Sequence, residues 1–124
     1  MEQAWSTYTD VMKNRYAQFD GRAPRAEFWW YALVVFLLGI AASIIEQVLG
    51  ISDDGNGVLS LIVSLAHLVP GLAIGARRLH DIDRSGWWQL LFLIPIVGLI
   101  VLIWWFTRPS GAGDNQYGSN PYGQ

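Results

Sequence analysis

The chain has 124 residues, the length of one domain, and a formal net charge of −2. Apolar residue types make up 52% of it and charged types 15%, whereas an ordinary soluble domain carries about 25% charged residues. The sequence contains no cysteine, which excludes disulfides, a thiolate nucleophile and a cysteine-ligated metal site.

The first predicted element is an amphipathic helix over residues 1–21. Its aromatic and apolar residues recur at helical spacing and share one face, opposite a polar face. They are Trp5, Tyr8, Met12, Tyr16 and Phe19. This pattern favours a helix lying in the headgroup plane of a membrane, and the alternative is a helix packed against the rest of the chain.

Three apolar runs follow, and they predict membrane-spanning helices over residues 24–49, 58–79 and 86–106. Each run has about 19 to 22 residues, enough for a helix to cross a hydrocarbon core of about 30 Å. Six of the seven tryptophans form adjacent pairs at the ends of these runs, where indole rings prefer the membrane–water interface. The predicted fold is therefore an all-α membrane protein with three transmembrane helices.

Two sequence features bear on the structure of the C-terminal part of the chain. Pro95 and Gly98 predict a bend in the third run, and a re-entrant hairpin there is the alternative to a full span. Residues 107–124 are rich in Gly, Ser, Asn and Pro, which predicts a flexible, disordered polar tail.

The positive residues predict the orientation. With three spans, seven of the eight Lys and Arg residues fall on one side, and Arg108 in the tail is the exception. Because short loops rich in Lys and Arg stay cytoplasmic, we predict a cytoplasmic N-terminus. The turn at Asp53–Asp54 is then external, the loop after the second span cytoplasmic, and the tail external.

The stretch "ARRLHDIDRSGWW", residues 76–88, concentrates charge between two apolar runs. Its carboxylates can pair with neighbouring arginines and cap the third helix, which is the structural interpretation. Alternatively, the arginines bind an anionic lipid headgroup together with those before the first span. A third interpretation is a His80–Asp81 catalytic or metal pair, which two histidines in the whole chain hardly support. The candidates for the headgroup site or charged cluster are Arg22, Arg25, Arg77, Arg78, His80, Asp81 and Arg84.

Small and polar residues form stripes on the first two spans, which predicts close helix packing within the chain or against another subunit. The packing candidates are Gly39, Ser43, Ser60, Ser64, Gly71 and Gly75. Glu46 and His67 are ionisable groups at membrane depth, and such groups are functional candidates by default. The alternative for His67 is a neutral imidazole hydrogen-bonded to a serine of the stripe.

Three segments together resemble the domain-of-unknown-function 805 family: "FDGRAPRAEFWWY", "ARRLHDIDRSGWW" and "GAGDNQYGSNPYG". The resemblance extends over nearly the whole chain from Phe19 onward. The residues that fit the motifs are Phe19, Gly21, Arg22, Arg25, Trp29, Arg77–Asp81, Arg84, Ser85, Trp87, Asn115, Tyr117, Gly118 and Pro121. The resemblance implies a small multi-pass protein of the bacterial inner membrane and brings no established activity.

We therefore predict a non-enzymatic inner-membrane protein that associates with anionic lipid, with itself or with a larger membrane complex. No cofactor, metal or nucleic-acid partner is expected. The alternative function is a transporter or channel subunit in which Glu46 and His67 line a polar path.

Overall fold

The structure is a computed structural model that describes residues 2–52 and 57–122. Those residues form an all-helical fold with the elements α1 (Glu2–Asn14), α2 (Arg25–Val48), α3 (Val58–Asp81), a 3₁₀ helix (Gly86–Leu93) and α4 (Val97–Phe106). The predicted external turn at Asp53–Asp54 lies outside the described residues.

The helices α2 and α3 form the long pair of the fold. Each has 24 residues, with mean hydropathies of 2.2 and 2.1, so both are long and apolar enough to cross a membrane. Extended backbone at Pro24 precedes α2, and Gly50 in the left-handed region (φ 71°) follows it. The boundaries agree with the predicted 24–49 and 58–79, apart from a further half-turn that extends α3 to Asp81.

The prediction of one continuous helix over residues 86–106 is wrong, because the segment folds into a hairpin. Pro95 has no amide hydrogen to continue a helix, and Ile96 takes the left-handed region at φ 67°. The amide of Val97 donates to the carbonyl of Pro95 at 2.7 Å, which closes a tight turn. The ring of Trp88 in the 3₁₀ helix packs on Trp105 near the end of α4, so the two arms run antiparallel.

Both arms of the hairpin end at the same end of the α2–α3 pair. The carbonyl of Phe106, the last residue of α4, accepts hydrogen bonds from Trp29 Nε1 at 3.0 Å and from Arg78 Nε at 3.1 Å. The tail thus emerges beside the loop that joins α3 to the 3₁₀ helix, and the prediction of a tail on the opposite side is wrong. With Arg108 on this side, all eight Lys and Arg residues gather at one end of the helix pair.

The tail is also more ordered than predicted. Residues 107–122 fold back in turns against the end of α3, with an antiparallel bridge between Asn115 and Gly118. Composition alone suggested disorder. In the structure, however, the buried side chains of Arg22, before α2, and Arg78, on α3, donate hydrogen bonds to backbone carbonyls of this glycine-rich segment. The prediction of a flexible tail is therefore corrected.

The N-terminal helix is shorter than predicted and packs on the long pair. It ends at Asn14, and the chain continues through turns up to α2. Val11 lies in a buried cluster with Ala23, Tyr31 and Ile74. These contacts agree with the packed alternative, and its placement in a headgroup plane stays a prediction.

Candidate functional site

Asp81, at the end of α3, is the centre of a buried charge cluster. Its carboxylate is fully buried and accepts from Arg22 Nε at 3.0 Å on Oδ1 and from Arg78 Nη1 at 2.9 Å on Oδ2. The hydroxyl of Ser110 in the tail donates to the same Oδ2. Buried ion pairs are tolerated where their remaining donors and acceptors are satisfied, and here the tail supplies the partners.

Arg22 uses all five of its guanidinium hydrogen atoms. Besides the bond to the Asp81 side chain, its Nη2 donates to the carbonyls of Asp81 and Gly111 at 3.2 and 2.7 Å. Its Nη1 donates to the carbonyls of Gly113 and Gly118 at 2.8 and 3.2 Å. One side chain therefore ties the segment before α2 to the end of α3 and to the tail.

Arg78 and Arg77 point to different partners. Arg78 donates to Asp81, to the carbonyl of Phe106 and to the carbonyl of Arg108. Arg77 donates to Glu27 of α2 and, at 3.1 Å, to the carbonyl of Gln18. Both guanidinium groups are completely buried. They fasten α3 to the hairpin on one side and to α2 on the other.

His80 is held rigidly in the same region. Its Nδ1 lies 2.9 Å from the carbonyl of Gly21, and its ring stacks on Tyr117 of the tail at a centroid distance of 3.9 Å. Asn115 donates to the carbonyl of His80 at 2.9 Å. The histidine is therefore part of the seam between α3 and the tail.

The seven candidates divide into a buried and an exposed set. Arg22, Arg77, Arg78, His80 and Asp81 are buried, and the structural interpretation of ion pairing describes them. The carboxylate of Asp81 does not cap the 3₁₀ helix. Ser85 is the capping residue, because its Oγ accepts a hydrogen bond from the amide of Trp87.

The exposed set consists of Arg25 and Arg84, and the structure adds Arg108 to it. Arg84 lies over the ring of Trp105 at 4.4 Å, and Arg108 over Trp104 at 5.0 Å. Arg25 donates to the carbonyl of Thr107 at 3.2 Å. We call these three residues, which surround the C-terminal end of α4, the basic collar. Arg108 was not among the predicted site residues, because a full third span places it on the other side of the membrane.

Within the described residues, no group of three or more His, Asp or Glu side chains is arranged to hold a metal ion. Both oxygens of Asp81 accept hydrogen bonds from arginines, and Nδ1 of His80 lies 2.9 Å from the carbonyl of Gly21 rather than against this carboxylate. The catalytic or metal interpretation of this pair has no geometric support.

Glu46 is buried where α2 meets the start of α3. Its carboxylate accepts from the Ser60 hydroxyl and lies against the backbone amides of Gly57, Leu59 and Ser60. A carboxylate at the amino end of a helix satisfies free amides and interacts favourably with the helix dipole. Glu46 therefore binds the first turn of α3 through the Ser60 hydroxyl, and its Oε2 has no hydrogen-bond partner among the described residues.

His67 has partners on both ring nitrogens. Its Nδ1 lies 2.6 Å from the carbonyl of Val63, and its Nε2 lies 2.7 Å from the Tyr8 hydroxyl of α1. Pro70 leaves the carbonyl of Ala66 without its helical donor, and the Tyr16 hydroxyl donates to that carbonyl at 2.7 Å. The partner of His67 is thus a tyrosine rather than a serine of the stripe. Glu46 and His67 belong to separate hydrogen-bond networks, and the transporter alternative gains no support.

Only some of the predicted packing residues lie against another helix. A Cβ added at Gly75 would lie 2.2 Å from Oε1 of Gln89, so this glycine admits the 3₁₀ helix rather than α2. Gly39 and Gly71 have no such neighbour within 4 Å. Ser60 bonds Glu46, Ser43 is half-buried on α2, and Ser64 is exposed.

The cluster joins the three sequence segments that carried the family resemblance. The sequence profile of the family described as "Protein of unknown function (DUF805)" matches residues 16–119, which include Arg22, Asp81 and the tail residues that bond them. The chain belongs to the DUF805 family. No solved structure matches it.

Two curated relatives of this DUF805 protein come from Escherichia coli strain K12. Inner membrane protein YhaI is 41% identical over 114 residues, covering 92% of this chain and 93% of the relative. Inner membrane protein YhaH is 38% identical over 115 residues, covering 92% and 94%. With its two long apolar helices, this DUF805 chain is an inner-membrane protein, as the sequence predicted.

Proposed function

We propose that this DUF805 protein is a non-enzymatic membrane protein that binds anionic phospholipid at the basic collar. In this proposal α2 and α3 cross the membrane, and the hairpin enters from the cytoplasmic side and returns to it. The 10 residues of α4 are about 15 Å long, roughly half of a hydrocarbon core, which suits a re-entrant segment. The gathering of all Lys and Arg residues at one end supports a cytoplasmic location for that end.

The lipid proposal rests on the exposure of three arginines, Arg25, Arg84 and Arg108, around the C-terminal end of α4. Each contacts a tryptophan ring or a backbone carbonyl, and in the proposed placement all three lie at the depth of the membrane interface. Guanidinium groups match phosphate oxygens with paired hydrogen bonds, and tryptophan rings favour the headgroup region. Arg22 and Arg78, in contrast, have their donors engaged inside the protein, and Arg77 is completely buried with its Nη2 unpartnered. The collar is therefore a smaller site than the sequence suggested, formed by Arg25, Arg84 and Arg108.

An apolar groove on α2 supports the same assignment. It has a volume of about 780 Å³ and begins at Arg25, with Trp29, Trp30, Leu33 and Phe36 along it. A phosphate on Arg25 and an acyl chain in this groove would use both features at once. Association with a second copy or another membrane protein stays a prediction for the open faces at Gly39 and Gly71.

Single charge removals in the collar test the proposal. We expect Arg84→Gln and Arg108→Gln each to lower the phosphatidylglycerol retained by the purified protein about fivefold, since a cation at an anionic surface contributes about 1 kcal/mol. Retained lipid is measured by mass spectrometry at two salt concentrations. Lys13→Gln is the matched control, because Lys13 is an exposed cation in the last turn of α1 and lies outside the collar.

Unchanged lipid retention in both collar variants would mean that these arginines only cap α4 and cover its tryptophans. An equal loss in Lys13→Gln would mean unspecific attraction to an anionic surface. Either result contradicts a collar site.

A further inference from the structure

The burial of α3 changes abruptly along its length. Every residue from Ala73 to Asp81 is buried. From Val58 to Val69, all of which the structure describes, no residue is buried, and Leu61, Leu65 and Leu68 are each more than half exposed. The half of α3 toward Asp81 is therefore enclosed by other elements, whereas the half toward Val58 leaves much of its surface open.

The hairpin formed by the 3₁₀ helix and α4 lies along the enclosed half. Its first residue, Gly86, lies against α3, since a Cβ added there would be 2.7 Å from Cβ of Ala76. Near the tip, Phe92 lines a cavity together with Leu68 of α3. Ala76 and Leu68 are separated by a rise of about 12 Å, and α4 is about 15 Å long, so the hairpin extends through about half of a hydrocarbon core of about 30 Å.

The outward faces of the hairpin are apolar and open. Trp87, Leu93 and Ile96 are 73–79% exposed. Side chains of this kind are favoured in or beside hydrocarbon rather than in water. In the placement of the proposed function, the hairpin therefore displaces lipid from the cytoplasmic leaflet.

The N-terminal helix α1 packs on the same half of the helix pair. Val11 lies in a buried cluster with Tyr31 and Ile74, and the Tyr8 hydroxyl is bonded to His67, near the middle of α3. Amphipathic helices insert into the leaflet that they contact and do not cross to the other. The helix α1 therefore also adds area to the cytoplasmic side.

The external half of the pair is slender in comparison. Glu46 joins α2 to α3 through Ser60, and the outward face of α2 is open at Ile44 and Val48. Two helices form this half, whereas the cytoplasmic half consists of α2, α3 and both arms of the hairpin. Since each helix is about 10 Å across, the cross-section in the cytoplasmic leaflet is about twice that in the external leaflet.

We infer that this protein is a wedge in the cytoplasmic leaflet and that it recognises membrane curvature. Because it displaces more lipid from the cytoplasmic leaflet than from the external one, it fits best where the cytoplasmic leaflet is convex and its lipids are spread apart. The partner is a bilayer that bulges toward the cytoplasm rather than a particular headgroup. The inference rests on the membrane placement in the proposed function, but it does not depend on the collar.

The orientation of the protein in vesicles of different size tests the wedge. The outer leaflet of a small vesicle is strongly convex, so the wide cytoplasmic half should lie in that leaflet. The full chain carrying Ser119→Cys at the wide end, or Ile51→Cys at the narrow end, is reconstituted into phosphatidylcholine vesicles and treated with a membrane-impermeant maleimide. Both positions are exposed. The labelled fraction is measured against the total after solubilisation.

We expect the ratio of the Ser119→Cys fraction to the Ile51→Cys fraction to rise at least about twofold from vesicles of about 400 nm to vesicles of about 40 nm diameter. The two fractions should add up to one at each diameter, because the positions lie on opposite sides of the membrane. Adding Arg84→Gln, or raising the salt concentration, should leave the ratio unchanged, since shape rather than charge sets the orientation.

Complementary fractions whose ratio does not rise as the vesicles become smaller would overturn the wedge and leave the membrane placement standing. Equal fractions at the two positions in every preparation would place the tail and Ile51 on one side, which refutes the hairpin placement and the wedge with it. Lipid retention in the collar variants is measured separately with phosphatidylglycerol, so its outcome does not affect this test.

Discussion

The substitution Asp81→Asn is expected to destabilise the protein by about 3–5 kcal/mol, because it leaves two buried arginines without their counter-charge. Arg22 and Arg78 both reach this carboxylate, and neither guanidinium is accessible to water as an alternative partner. The free energy of unfolding in a mixed-detergent titration measures the loss. We also expect the tail to become sensitive to proteolysis, since Arg22 holds its carbonyls in place.

The matched control is Asp83→Asn, two residues further along the chain. Asp83 is exposed, and its carboxylate accepts from Gln116 at 3.3 Å. Its backbone is left-handed at φ 61°, a conformation that asparagine adopts as readily as aspartate. We expect a change below about 0.5 kcal/mol. A similar loss in both variants would mean that the buried ion pairs of Asp81 contribute no more to stability than an exposed carboxylate does.

The second large effect is expected for Gly98→Ala, at the start of α4. A Cβ there would lie 1.8 Å from the carbonyl oxygen of Leu91, which belongs to the opposite arm of the hairpin. Because backbone must move to make room, we expect a loss of about 3 kcal/mol or more, measured in the same detergent titration.

Gly71→Ala provides a comparison of opposite sign. Gly71 also lies within a helix, but nothing surrounds the place of its missing Cβ within 4 Å. Alanine in a helix interior is favoured over glycine by about 0.5–1 kcal/mol, so this variant should gain stability. A gain in both variants would show that the two arms of the hairpin do not pack closely.

The sequence was sufficient for the long helices and insufficient for the hairpin. Continuous apolar runs bounded by Pro24 and by Gly50 predict α2 nearly to the residue, because length and composition alone determine such a helix. For the third run, the hydrophobicity of the sequence is the same whether the chain crosses the membrane or turns back within it, so hydrophobicity cannot distinguish a full span from a hairpin. Pro95 and Gly98 were the visible signs of the turn, but their weight depends on Leu91 packing across the hairpin.

The candidate site shows a similar division. Its residues were identified from charge and motif, yet their burial could not be predicted from local sequence. The acceptors that bury Arg22 lie 59 to 96 residues away along the chain, and most are backbone carbonyls that leave no compositional mark. The glycine-rich tail that suggested disorder supplies many of them, which is why the arginines were assigned to lipid rather than to the protein interior.

The proposed placement of this protein in the membrane requires that the hairpin return to the side from which it enters. Since the chain has no cysteine, single substitutions can be labelled without background. Spheroplasts carrying Ile51→Cys, between α2 and α3, or Ser119→Cys, in the tail, are treated with a membrane-impermeant maleimide. We predict that Ile51→Cys is labelled in intact spheroplasts and Ser119→Cys only after lysis. Labelling of Ser119→Cys in intact spheroplasts would contradict the re-entrant hairpin and restore a third full span.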